Sequence, residues 1–192
     1  MTSVVIGLIV VVVFIVVLLV VMGMYNSLVR RKVDCDNGWA QIDVQLKRRY
    51  NLIPNLVETV KGYAGHEKET LQAVIKARQQ AVAITSDSAH AAQKAEAENM
   101  ISQALGKLIA LSEAYPNLKA DANFRELQEE LTSTENKISF ARQHFNDTVG
   151  LYEQKRLMFP TNLIAAAFNF DKREYFAIDD AAQREVPSVS FS

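Results

Sequence analysis

The stretch HEKET at residues 66–70 opens like the helix of a zinc protease, where two imidazoles four residues apart hold the metal and a glutamate beside the first acts as base. Thr70 occupies the place of the second imidazole, so the pattern lacks a ligand. DCDNG at residues 34–38 has the acids of a calcium loop, but its glycine stands fifth instead of sixth and Gln45 replaces the bidentate glutamate. His66, His90 and His144 are far apart, without a second ligand at helical spacing, and read as surface or boundary residues. Glu129, Glu130 and Glu135 form an acidic run whose plain reading is a solvated helix face rather than a general acid and base. The chain contains no nucleophile elbow, phosphate loop or dinucleotide fingerprint. The expected catalytic, cofactor-binding and metal-ligating residues are therefore none, and no enzymatic activity is expected. The single Cys35 excludes an intrachain disulfide; a free or buried thiol is favoured over an interchain bond.

The residues left with something to explain are basic. In QLKRRYNLIPNLVETV, residues 45–60, Lys47 has Asp43 one turn behind it, whereas Arg48 and Arg49 have no acid three or four residues away. Three successive residues cover about 200° of helix surface and form a collar, not a stripe. Residues 30–61 carry seven Lys/Arg and four Asp/Glu, whereas residues 171–185 carry three and five. The basic first helix is thus expected to meet the acidic tail, anionic headgroups or another protomer. Arg30, Arg31 and Lys32, with Arg48 and Arg49, are the candidate assembly or lipid contacts. Lys47 lies about 22 Å beyond Lys32 along a helix, well past a Debye length of ~8 Å, which makes lipid contact the lesser alternative for the second cluster. A net charge of −1 argues against nucleic acid as a partner.

The elements that must position these charges are helical. No charged residue occurs from Val4 to Met24, and at about 1.5 Å per residue that run spans the ~30 Å hydrocarbon core. Residues 1–3 form a short exposed terminus without the basic region of a cleaved signal, and residues 4–24 an uncleaved transmembrane helix. Arg30, Arg31 and Lys32 follow the apolar run and nothing basic precedes it, which places the N-terminus outside and the body on the cytoplasmic side of the membrane. Residues 25–170 are expected to form the bundle, and residues 171–192 a partly extended tail in which Val186, Pro187, Val189 and Phe191 read as strand-like.

Within the bundle, Trp39, Ile42, Leu46, Tyr50, Ile53, Leu56 or Val57, Val60 and Tyr63 or Ala64 make one helical stripe that ends at Gly65. Pro54 cannot donate to the Tyr50 carbonyl, yet the stripe keeps its phase across it, which predicts one helix with a kink near Pro54. A second helix is expected from His66 to about Thr85 with Leu71, Val74, Ile75 and Val82 inward. A third runs from about Ala89 to Tyr115 on Ile101, Leu105, Leu108, Ser112 and Tyr115. A heptad seam of Phe124, Leu131, Ile138, Phe145, Tyr152 and Phe159, with Leu127, Thr134, Ala141, Thr148 and Lys155 between, predicts a long fourth helix closed by Pro160. The seam threonines are expected to satisfy their hydroxyls on their own preceding turns. TNLIAAAFNF then gives a short apolar helix. The fold expected is all-α: an N-terminal transmembrane helix, an antiparallel up-down four-helix bundle with long helices, and an extended C-terminal tail.

YNSLV, GWAQIDVQLKRRYNLIPNLVETVKGYAGHE, AYPNLKADANFRELQEELTSTENKISFARQHFND, and FP followed by YFAI and VPSVSF resemble the LemA family of bacterial membrane proteins over nearly the whole chain. Gly38 departs from the alanine expected before the tryptophan. The resemblance implies a membrane anchor and a helical bundle; it brings no agreed catalytic residue or cofactor, and a related magnetosome protein is associated with membrane invagination. The expected function is a scaffold that self-associates, as a homo-oligomer on the lipid bilayer, and organises or shapes the membrane. The alternative is an adaptor presenting the bundle to another membrane protein, such as a protease or envelope-stress component.

Overall fold

The computed structural model describes residues 1–177; the tail residues Val186, Pro187, Val189 and Phe191 lie outside them. It contains six α-helices and no strand among the described residues: α1 (Thr2–Tyr63), α2 (Lys68–Ala83), α3 (Ala91–Ser112), α4 (Pro116–Ala120), α5 (Ala122–Leu157) and α6 (Thr161–Ala167). The expected transmembrane segment and the first bundle helix are one continuous element, α1. Its first part is wholly apolar and lies free of the bundle, and it is the one helix among the described residues long and apolar enough to cross a membrane. Its second part buries Trp39, Ile42, Leu46, Tyr50, Ile53, Leu56, Val57 and Val60 of the expected stripe, and Cys35 with them.

α1 continues through Pro54 without interruption. The proline leaves the Tyr50 carbonyl without its intrahelical donor, and the Arg78 Nε of α2 supplies one at 2.8 Å. The missing bond is thus replaced by a tertiary one, which fixes α2 against α1 at that level.

The closest helix pairs are α1 with α5 and α2 with α3, and α2 also packs on α1. Side-chain contacts run antiparallel within each: Tyr63 meets Asp121 while Trp39 meets Phe145, and Tyr115 meets Glu67 while Lys94 meets the Ala81 carbonyl. α1 and α5 approach closely at Gly38, where a Cβ would lie 3.3 Å from the Phe145 Cα and 3.3 Å from the Thr148 Oγ1. Gly38 therefore permits a close crossing.

α2 turns a different face inward from the one its bulkiest residues predict. Leu71 and Val74 are buried, but Ile75 and Val82 are exposed, and Ala77 and Ala81 take the interior. With Ala91 and Ala95 of α3 also buried, small side chains let these two helices pack closely. α3 buries Ile101, Leu105, Leu108 and Ser112 as expected, and Pro116 opens α4 at its first turn, where its missing N–H has no partner to lose.

On α5 the seam holds for Phe124, Leu131, Ile138, Phe145 and Tyr152, all buried. Phe159 does not join it: α5 ends at Leu157, and Phe159, immediately before Pro160, is 78% exposed. Thr148 donates to the Phe145 carbonyl at 2.7 Å, as a helical threonine can, whereas the buried Thr134 hydroxyl has no protein partner. Asp121 caps α5 by accepting from the Phe124 N–H at 2.9 Å and also accepts from the Tyr63 hydroxyl, joining the far ends of α1 and α5.

Candidate functional site

The basic collar of the first bundle helix resolves into three different environments. Lys47 pairs with Asp43 at 2.6 Å along α1. Arg48 is half-exposed and crosses to α5, donating from Nε to Glu130 at 2.6 Å. Arg49 is 3% exposed and points into the bundle. Its guanidinium donates to Ser102 Oγ at 2.7 Å, faces Glu98 Oε2 at 3.4 Å and reaches Glu135 Oε2 at 3.1 Å. An arginine enclosed in this way offers no surface to lipid or to another protomer, so the assembly role expected for Arg49 gives way to an internal one. Glu135, expected on a solvated face, does keep its side chain half in water while pairing with Arg49.

Around Arg49 lies a polar centre that unites α1 and α3. Glu98, also 3% exposed, accepts from the Tyr50 hydroxyl as well as from Arg49. Lys94, one turn earlier on α3, is buried with its Nζ 5.3 Å from the centre of the Tyr50 ring and donates to the Ala81 carbonyl at 2.7 Å, capping the C-terminal turn of α2. Burial pushes the Glu98 carboxyl above its ordinary value, against the pull of the Tyr50 hydrogen bond and of Arg49. Burial also pushes Lys94 down, opposed by Glu98. Tyr50 is raised by burial and then by the adjacent Glu98, which fixes its phenol as a neutral donor. The two cations and the carboxylates compensate one another, the condition for placing charge in a core. Apart from the Arg49 Nε, which is buried without a partner, these hydrogen-bonding groups are spent on neighbours, and the arrangement specifies helix register.

Glu98, Lys94 and Arg78 were not singled out by the sequence pattern, although a signal existed. Running the Ile101, Leu105, Leu108 and Ser112 stripe backward by three and then four residues lands on Glu98 and Lys94. Charged residues on an apolar stripe point to a buried network.

A second polar cluster fastens the segment after α6. Arg173 pairs with Asp36 of α1 at 2.9 Å and donates to Ser88, and its N–H donates to Glu153 at 2.9 Å. The Asn146 side chain donates to the Phe176 carbonyl at 3.2 Å and accepts from its N–H at 2.9 Å, seating the buried ring 5.9 Å from Trp39. The described part of the tail thus meets the first helix through a tail cation and a helix acid, the reverse of the polarity expected. His90 is tied to Asp87 at 2.6 Å, and Cys35 is a free, fully buried thiol. Among the described residues no group of three His, Cys, Asp or Glu side chains is placed to hold a metal ion.

Of the remaining basic residues, Arg30 and Lys32 are exposed, and Arg31 lies 3.5 Å from Asp34. All three follow the apolar run directly. Between α1 and α5, Ala40, Val44, Phe140 and Ala141, together with Gln41, Gln45, Lys137 and His144, line an open groove of about 640 Å³, in which Phe140 stands 71% exposed.

An apolar N-terminal helix suited to membrane anchoring, continuous with a helical bundle whose polar centre serves packing, defines a membrane-associated helical protein. The family model described as "LemA family" matches residues 38–191, and the chain belongs to that family. Among its relatives, the protein named "Protein LemA" of Metamycoplasma hominis is 26% identical over 76% of this chain and 65% of its own length. "Magnetosome protein MamQ" of Magnetospirillum gryphiswaldense is 23% identical over 79% of this chain and 64% of its own length. "Magnetosome protein MamQ 2" of Paramagnetospirillum magneticum is 24% identical over the same shares. The chain therefore spans somewhat less than two thirds of the length of these relatives.

Proposed function

We propose that this protein is a membrane-anchored scaffold that associates with copies of itself through the bundle and so organises or shapes the bilayer. The observation that carries the reading is the apolar groove between α1 and α5 with Phe140 exposed beside it. A phenyl ring in water at the rim of a groove lined by Ala40, Val44 and Ala141 is suited to a two-fold pairing in which each copy inserts its Phe140 into the groove of the other. Membership of the LemA family and the magnetosome relatives support a membrane-associated role. The triplet Arg30, Arg31 and Lys32 supports a bundle on the cytoplasmic side of the inner membrane.

The test is the mass of the full chain in detergent and in nanodiscs, by light scattering and native mass spectrometry. The expected result is a homo-oligomer that Phe140→Asp converts to monomer with unchanged helix content. A wild-type monomer that leaves liposome shape unaltered would overturn the proposal. A stoichiometric complex with a different membrane protein, trapped by mild crosslinking in the absence of a homo-oligomer, would replace it by the adaptor reading.

A further inference from the structure

From Leu157 to Phe170 the chain carries no charged residue, the longest such interval outside the anchor. The structure folds this interval into the end of α5, a turn and α6. Thr161 and Ala165, one turn apart, are buried, while Leu163 on the other face is exposed. Leu157, Met158, Phe159 and Phe168 are exposed with it, so five large apolar side chains stand in water on one short stretch. Scattered single apolar residues are ordinary on a protein surface, but a contiguous charge-free group calls for a covering phase.

Its position shows which phase. α6 packs on α1 as well as on α5. Phe168 and Phe170 set their rings edge-on to Tyr25 at 5.0 and 5.6 Å between centroids. Asn169 takes a left-handed conformation, φ 54°, and the Phe170 N–H reaches back to the Ala165 carbonyl at 2.9 Å, which turns the chain so that both rings meet Tyr25. Tyr25 directly follows Met24, the last residue of the membrane-spanning run. Partial burial continues along the same face of α1 to Met24 and Val21, inside that run. The α5–α6 turn is therefore level with the point where α1 enters the bilayer; in sequence, Lys155 precedes the charge-free stretch, Lys172 follows it, and Arg30 and Lys32 follow Tyr25 on α1.

We propose that the α5–α6 turn is a second membrane contact: Leu157, Met158, Phe159, Leu163 and Phe168 sit in the headgroup and acyl boundary of the leaflet that α1 leaves. Interfacial segments of this kind bury an apolar face about 5–10 Å below the headgroups. The bundle then stands on the membrane by two attachments instead of hanging from one helix, and the turn adds cross-section to a single leaflet, a geometry that promotes curvature. The inference rests on α1 spanning the bilayer and is independent of self-association.

The test uses Phe159→Trp in the full chain, reconstituted in vesicles of phosphatidylcholine and phosphatidylglycerol whose acyl chains are brominated either near the headgroup or near the terminal methyl. Trp39 gives the wild-type baseline, since it lies in the bundle core about 22 Å along the helix from Met24 at 1.5 Å per residue. The added indole should emit to the blue of a water-exposed one and lose most of its emission to bromines near the headgroup, and less to those at the chain end. Phe140→Trp, equally exposed but on the bundle flank, should lose none. An added emission at Phe159→Trp that neither lipid quenches would overturn the proposal, whether it is red as in water or blue and dependent on protein density, as contact with a second copy would make it. Extraction of the wild-type chain by alkaline carbonate would instead remove the anchor on which the proposal rests.

Discussion

Replacing Arg49 by methionine keeps the length and apolar volume of the side chain and removes its charge from beside Glu98. The Glu98 carboxylate is almost wholly enclosed, and it then retains the Tyr50 hydroxyl and the more distant Lys94 as its stabilising neighbours. Glu135, with its side chain half in water, is released at little cost. The penalty therefore falls on Glu98. Breaking a buried pair by deleting one partner typically costs 3–5 kcal/mol, and the surviving hydrogen bond places this case near the low end, about 3 kcal/mol. Glu98→Gln in the same chain removes the stranded charge, so the double variant should recover ~1.5 kcal/mol or more relative to the sum of the singles.

Trp39 makes the measurement direct: it is the one tryptophan, it is buried in the bundle, and the membrane segment is silent in its emission. Urea unfolding of the full chain in mild detergent, followed at Trp39, gives each stability. The pH dependence has a definite sign. Glu98 has its carboxyl raised by burial, and losing Arg49 raises it further. The folded variant thus binds a proton more tightly than its unfolded chain. The penalty is full above the raised folded value, shrinks as pH falls through it, and vanishes toward the ordinary glutamate value of 4.5. The difference between variant and wild type, taken at each pH, cancels the carboxylates that do not meet Arg49. A cost below about 1 kcal/mol at pH 8, or singles that add without coupling, would refute the claim that Arg49 compensates Glu98 inside the bundle.

Arg78→Met should cost about 1–3 kcal/mol by stranding the Tyr50 carbonyl, and markedly less in a Pro54→Ala background, where residue 54 regains an N–H for that carbonyl; the same urea assay compares the two backgrounds. At Gly38, alanine gains about 1 kcal/mol of helix propensity but meets the Phe145 backbone at 3.3 Å, so Gly38→Ala should stay near neutral, whereas Gly38→Leu should lose about 2 kcal/mol or more as α1 and α5 are forced apart.

Much of the fold follows from period alone. The stripe from Trp39 to Val60 and the seam from Phe124 to Tyr152 are both buried because a helix repeats its face at three and four residues, and no other element could keep that phase for so long. Period does not say where a helix stops. The seam extrapolates to Phe159, but the backbone already turns extended at Met158, ψ 137°, and the helix ends before that residue is reached. Nor does period weigh small side chains against large ones. Ile75 and Val82 lose the interior of α2 to Ala77 and Ala81 because close packing against α3 favours the small face over the more apolar one.

The site was less legible than the fold, for a physical reason. Arg48 and Arg49 lack partners on their own helix, which correctly sends the search elsewhere, but Glu130 and Glu98 lie 82 and 49 residues away and only the packed register brings them opposite. A sequence shows that an arginine needs an anion without showing whether that anion is a lipid phosphate or a glutamate of the next helix. Here the two arginines of one collar both find protein carboxylates, one at the surface and one in the core. Besides Arg30 and Lys32, the exposed residues near the anchor include the uncharged Leu157, Met158, Phe159, Leu163 and Phe168. Their composition marks them only as a short apolar helix, and it is the contact of Phe168 with Tyr25, far away in sequence, that sets them beside the anchor.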